Sequence, residues 1–146
     1  MKPTVFIVDD DEAMRDSLVW LLESEGFAVV AYASAEDYLA AFDPERPGCL
    51  VLDLRMPGMS GLELIERLEG FRSRLPVIFI TGHGDVPMAV AALKKGAVDF
   101  LEKPFNDQAL VALIRDSIAR DADGDRSTYK DFTIVVDEST FGIFRM

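Results

Sequence analysis

Val5-Phe6-Ile7-Val8-Asp9-Asp10-Asp11 sets four apolar residues directly before three carboxylates. An apolar run this short, ended by polar residues, reads as a strand covered on both faces, with the acids at its C-terminal end. The layout recurs along the chain. Cys49-Leu50-Val51-Leu52 precedes Asp53, Val77-Ile78-Phe79-Ile80 precedes Thr81, and Phe100-Leu101 precedes Glu102-Lys103-Pro104. As parallel strands of one sheet, these runs bring carboxylates, a hydroxyl and an ammonium to a single edge. That is the edge at which open α/β sheets bind their ligands.

Helical patterns fill the intervals, so strand and helix alternate as a parallel α/β sheet requires. Met14, Leu18, Leu21 and Leu22 share one helical face, and Gly26 stands where a C-terminal cap belongs. Ala28 to Tyr32 reads as a second strand, and Ser34 with Asp37 three residues on as the start of a short helix before Pro44 and Pro47. Leu64, Ile65 and Leu68 mark a third helix closed by Gly70. Residues 86–95 predict a fourth, with Lys94 and Lys95 in the last turn complementing the helix dipole. Asn106 is placed to cap a final helix carrying Leu110, Leu113, Ile114 and Ile118 on one face.

At 146 residues the chain suits one domain with a substantial core, and 49% hydrophobic composition excludes disorder for most of it. No apolar run approaches the roughly 20 residues of a membrane helix, so a soluble protein without membrane contact is expected. Met1-Lys2-Pro3-Thr4 leads straight into the first strand and does not resemble a secretion signal. The single cysteine, Cys49, lies in an apolar run and reads as a buried structural thiol, which fits a reducing, cytoplasmic setting. Twenty-six acidic against fifteen basic residues give a net charge of −11. With no basic stripe to neutralise phosphates, this chain by itself is not expected to bind nucleic acid.

Gathered carboxylates repel, by about 4 kcal/mol for two unit charges 4 Å apart at an effective dielectric of 20. A hard divalent cation with oxygen ligands offsets that, and Mg²⁺ typically takes one or two carboxylates, waters and a substrate phosphate. Asp53 is then available as a nucleophile for a phosphoryl group. Phosphoryl transfer needs mainly positioning and charge neutralisation, which the Lys103 ammonium and Thr81 hydroxyl can help to supply.

Val8-Asp9-Asp10, Asp53 followed by Met56-Pro57-Gly58-Met59-Ser60-Gly61, Thr81, and Lys103-Pro104 together resemble the receiver domain of two-component response regulators, over about residues 4 to 119. The wording of residues 80–90 and 99–105, Ile80-Thr81-Gly82-His83-Gly84-Asp85-Val86-Pro87-Met88-Ala89-Val90 and Asp99-Phe100-Leu101-Glu102-Lys103-Pro104-Phe105, is similar to the FixJ-like branch. The resemblance implies a doubly wound, flavodoxin-like α/β fold: a five-stranded parallel sheet of order 2-1-3-4-5 with helices on both faces. It implies that Asp53 accepts phosphoryl from a sensor histidine kinase. Asp10 and Asp53 would bind Mg²⁺ directly, Arg55 through its backbone carbonyl and Asp9 through water. Thr81 and Lys103 would hold phosphoryl oxygens, Phe100 would act as the aromatic switch, and the Lys103-Pro104 bond would be cis. Arg55 and His83, each two residues beyond an active-site position, would tune dephosphorylation. Output would pass through the fourth helix, fifth strand and fifth helix, the face expected to form a phosphorylation-dependent homodimer. Such a module is a switch rather than an enzyme, catalysing only its own phosphorylation and dephosphorylation, and in this family it commonly controls transcription through a separate output domain.

An aspartate-nucleophile phosphatase is a competing reading, but Asp9-Asp10-Asp11-Glu12-Ala13 lacks the hydroxyl residue that class uses and would place the nucleophile on the first strand. A mononucleotide binder would need a Ser/Thr/Gly-rich loop there, where three aspartates would repel phosphate. Domain boundaries are expected at 1–120 for the receiver and 121–146 for an acidic linker and tail. Phe132, Ile134 and Val136 alternate, as do Phe141 and Ile143, a pattern that suits a terminal hairpin. Asp121, Asp123 and Asp125 imitate the opening of a calcium loop, but Arg126 and Phe132 stand where it needs Gly and Glu. The tail is too short for a DNA-binding helical domain. The chain therefore reads as a receiver separated from its output domain or, alternatively, as a stand-alone single-domain regulator.

Overall fold

A computed structural model of the chain describes residues 2–53, 56–70, 75–81, 87, 90, 94, 99–102, 106–122, 133–135 and 143–145. In chain order the elements are β1 (Thr4–Val8), α1 (Glu12–Ser24), β2 (Ala28–Tyr32), α2 (Ala35–Ala41), β3 (Gly48–Asp53), α3 (Gly61–Gly70), β4 (Val77–Thr81), β5 (Asp99–Glu102), α4 (Asp107–Ala122), β6 (Thr133–Val135) and β7 (Ile143–Arg145). The helix expected over 86–95 falls largely outside the described residues, of which Pro87, Val90 and Lys94 have helical backbone.

The strands form one sheet of order β2-β1-β3-β4-β5-β6-β7. Its first five positions are the 2-1-3-4-5 arrangement of the doubly wound fold, all paired in parallel. Beyond them β6 lies parallel to β5, from Asp99 opposite Thr133 to Leu101 opposite Val135, and β7 returns antiparallel to β6. The expected five-stranded sheet is thus extended to seven, with the tail strands covering the backbone edge of β5. An edge strand presents unpaired N–H and C=O groups, and an added strand satisfies them.

Alternation along each strand divides the core. Phe6, Val8, Leu50, Leu52 and Phe79 face one layer with Ala35 and Tyr38 of α2 and Leu64, Ile65 and Leu68 of α3. Their neighbours Val5, Ile7, Cys49, Val51, Ile78 and Ile80 face the other, with Leu18 and Leu22 of α1 and Leu110, Val111 and Ile114 of α4. Helices on both faces are why these strands are continuously apolar. Cys49 is fully buried, as a structural thiol should be. Tyr38 stacks edge-on against Phe6 and Tyr32, with ring centroids 5.9 and 5.4 Å away. Burial, and secondarily Tyr32 and Cys49, push its phenol well above the ordinary tyrosine range.

The helices begin where capping chemistry allows. Asp11 accepts from the N–H groups of Ala13 and Met14 at the start of α1, and Ser34 from Asp37 at the start of α2. Asn106 accepts from Gln108 and Ala109 at the start of α4. Each satisfies amide donors that a helix start leaves without partners. At the opposite end of the sheet, Gly48 opens β3 with φ +145°, and any Cβ there would overlap the Thr4 carbonyl on β1. Glycine is what lets the two strands begin side by side.

Gly48→Ala is expected to destabilise the fold by about 1–3 kcal/mol, since overlapping backbone must shift. Urea unfolding should show a lower midpoint with an unchanged slope.

Candidate functional site

Register decides which residues meet. β1 pairs with β3 from Thr4 opposite Gly48 to Val8 opposite Leu52, so the next residue of each, Asp9 and Asp53, arrive together at the C-terminal edge. β4 continues the row, with Ile80 opposite Asp53 and Thr81 one step beyond. One carboxylate oxygen from each of Asp9, Asp10 and Asp53 lies within 4.8 Å of the other two. Asp9 is 1% and Asp53 7% exposed, whereas Asp10 faces solvent. Three anions in so small a volume, two of them buried, are costly without a cation. Their all-oxygen donor set, open on the Asp10 side, fits a hard divalent ion that retains waters.

The acidic turn is tightly specified. Asp9 Oδ1 accepts from the Asp11 N–H at 2.9 Å, while the Asp9 N–H donates to the Tyr32 carbonyl of β2 at 3.2 Å. Asp11 is occupied as the cap of α1 and lies outside the metal-sized cluster, as its position ahead of the helix suggested. Among the described residues no hydrogen bond or ion pair engages the Asp10 carboxylate, which leaves it available to a ligand.

Two contacts at the site escaped the reading of the sequence. Arg15, in the second turn of α1, donates from Nη1 to the Asp9 carbonyl at 2.8 Å. Its signal was a cation one turn beyond a capped helix start, which is too common a pattern to single out. Glu36 of α2 reaches the loop after β3: its Oε2 accepts from Met59 N–H at 3.4 Å, and a Cβ on Gly58 (φ +76°) would lie 2.7 Å from the same oxygen. The Pro57-Gly58-Met59 turn thus favours glycine for its backbone conformation.

Of the other expected site residues, Thr81 ends β4 and Phe100 lies in β5 opposite Phe79, both placed by their backbone. Arg55, His83 and Lys103, with the Lys103-Pro104 bond, lie outside the described residues.

A doubly wound sheet with an acidic cluster at the ends of β1 and β3 places the chain in the flavodoxin-like α/β class, with the cluster at the ligand-binding edge. The family model of the response regulator receiver domain matches residues 5–115, and the chain belongs to that family. It is 52% identical over 122 residues to the transcriptional regulatory protein FixJ of Azorhizobium caulinodans, covering 84% of this chain and 58% of that protein. Nodulation protein W of Bradyrhizobium diazoefficiens is 50% identical over 120 residues, 82% of this chain and 53% of the relative. Among solved structures, FixJ-N superposes with a TM-score of 0.76 at 52% identity, covering 82% of this chain and 95% of that one. The response regulator StyR gives a TM-score of 0.81 at 49% identity, covering 87% and 64%. The chain spans little more than half the length of these two curated relatives.

Like charges held together should oppose folding until neutralised. In metal-free buffer, Asp10→Asn is expected to raise the thermal unfolding midpoint by a few degrees. Adding Mg²⁺ should then raise the wild-type midpoint more than that of the variant. Calorimetric melting of both proteins with and without the ion checks this.

Proposed function

We propose that the chain is a phosphorylation-driven switch in which Asp53 accepts a phosphoryl group from the phosphohistidine of a sensor kinase. The observation that carries this reading is the placement of a nearly buried Asp53 carboxylate beside those of Asp9 and Asp10. Asp53 alone among the three ends β3, with β1 and β4 on either side. A carboxylate oxygen of Asp53 attacks phosphorus in line, forming the O–P bond of an acyl phosphate. The P–N bond breaks, and the leaving imidazole nitrogen takes its electron pair and then a proton. When bound, Mg²⁺ neutralises the carboxylates and the charge on the transferring oxygens. Asp10 and Asp53, with the Arg55 carbonyl, are the residues that would hold it directly, and Asp9 through water.

In this reading Thr81 and Lys103 bind oxygens of the new phosphoryl group, and Phe100 changes position with Thr81. Arg55 and His83, each two residues beyond an active-site position in the sequence, set the lifetime of the acyl phosphate. The chemistry consumes the protein's own acceptor, so the chain is a regulator and not an enzyme with an external substrate. Several relatives are named as transcriptional regulatory proteins, which supports control of transcription through an output domain in a cytoplasmic regulator. With its net charge of −11, the segment itself is not the DNA-contacting part.

Incubation with Mg²⁺ and acetyl phosphate should yield one acid-stable, hydroxylamine-sensitive phosphoryl group per chain, lost in Asp53→Asn. Sustained multiple turnover would point to a phosphatase instead. Substitution of Arg55 or His83 should alter the decay of the label.

Phosphorylation is also proposed to promote a homodimer through the face formed by the segment around 86–95, β5 and α4. Sedimentation velocity before and after phosphorylation should show a shift from monomer to dimer, and a monomer in both states would remove this part of the reading.

A further inference from the structure

Arg15 touches the acidic turn at an unusual point. Among the described residues it pairs with no carboxylate and instead donates to the backbone carbonyl of Asp9, at 2.8 Å in a partly buried position. That carbonyl belongs to the peptide unit joining Asp9 to Asp10. The orientation of this plane fixes ψ of one acidic residue and φ of the next, and therefore the directions in which the two Cα–Cβ bonds leave the backbone. The amide of Arg15 makes the ordinary first helical bond to the Asp11 carbonyl at 2.9 Å, which fixes the base of the side chain beside the turn. The Asp9 N–H to Tyr32 bond and the Asp11 N–H to Asp9 Oδ1 bond anchor the peptide units on either side of the Asp9–Asp10 peptide.

We propose that Arg15 is a positioning residue for the divalent-cation site: its guanidinium locks the Asp9–Asp10 peptide plane so that both carboxylates stay directed at Asp53. This rests on the reading of the acidic cluster as a metal site in phosphoryl transfer. Without the lock, repulsion among the three carboxylates would rotate the plane and spread them, and an incoming ion would have to regather them. Groups that orient metal ligands typically contribute 10- to 100-fold in affinity.

The opposite sign is equally definite. A guanidinium near a cation site also repels the cation, so if Arg15 acted only as a charge, its removal would tighten binding. The guanidinium's bond to a neutral carbonyl favours the positioning role.

Mg²⁺ binding measured by isothermal titration calorimetry on the full chain separates these outcomes without reference to phosphorylation. Arg15→Met, which removes both bond and charge, should weaken binding by about tenfold or more. Arg15→Lys, which keeps a donor able to reach the carbonyl, should recover much of the loss. Unchanged or tighter binding in Arg15→Met would overturn the proposal, as would a loss in Arg15→Lys equal to that in Arg15→Met with both proteins folded. A merely structural role would lower the urea midpoint of metal-free protein and leave the affinity of the folded fraction unchanged, which also overturns it. If wild type binds Mg²⁺ and Arg15→Met does not, yet acetyl phosphate fails to label Asp53, the phosphoacceptor reading fails while the role of Arg15 stands.

Discussion

Parallel pairing of β1 with β3 is the constraint on which the site depends. Val8 lies opposite Leu52, so the chain has no choice but to bring Asp9 and Asp53 side by side at the sheet edge, two acids separated by 44 residues of sequence. Strand pairing is cooperative along a register fixed by hydrophobic faces, because a slip of one residue would turn every side chain to the wrong layer. The apolar pattern that stabilises the core is therefore also what forces the like charges together. Gly48 secures the other end of the same pair, where the backbones approach too closely for a Cβ.

Burial explains how the fold tolerates this repulsion. Each central strand is sandwiched, with Val5, Ile7, Val51 and Ile78 packed to one side and Phe6, Val8, Leu50 and Phe79 to the other. Fully burying one such side chain is worth about 1.5–3 kcal/mol, so a few suffice to offset one unfavourable carboxylate pair. The residual repulsion is located where a cation can relieve it. A site destabilised in its empty form makes ligand binding and stability two views of one quantity, since whatever neutralises the acids also favours the folded chain.

Much of this was legible in the residues because the periodicities are clean. Ala28 to Tyr32 and the capping of α1, α2 and α4 by Asp11, Ser34 and Asn106 follow from local chemistry that tertiary contacts do not override. The ends of the first five strands fell within a residue of their expected places; β3 gains Gly48 and Asp53, whose side-chain types are poor strand formers but whose backbones complete the ladder with β1 and β4. Parallel addition of β6 to β5 was not legible, because a short alternating segment specifies a strand but not its neighbour. Arg15 and Glu36 were hidden for a related reason. Their partners are a backbone carbonyl and a backbone N–H, groups every residue has, so nothing in the pattern of side chains marks them.

The three acids are unequal in a way that assigns their work. Asp9 is buried and its Oδ1 is tied to the turn, so it is a fixed part of the scaffold. Asp10 is exposed, with no hydrogen bond or ion pair to its carboxylate among the described residues, which suits a ligand that must exchange water for metal. Asp53 is nearly buried at the end of a rigid central strand, so its carboxylate has little freedom to search. In the proposed phosphoryl transfer, a nucleophile held in this way would need little reorganisation to meet phosphorus in line, but only a donor presenting the phosphoryl group from the open side would reach it. On that proposal the same rigid strand end would provide both proximity for the transfer and discrimination among donors.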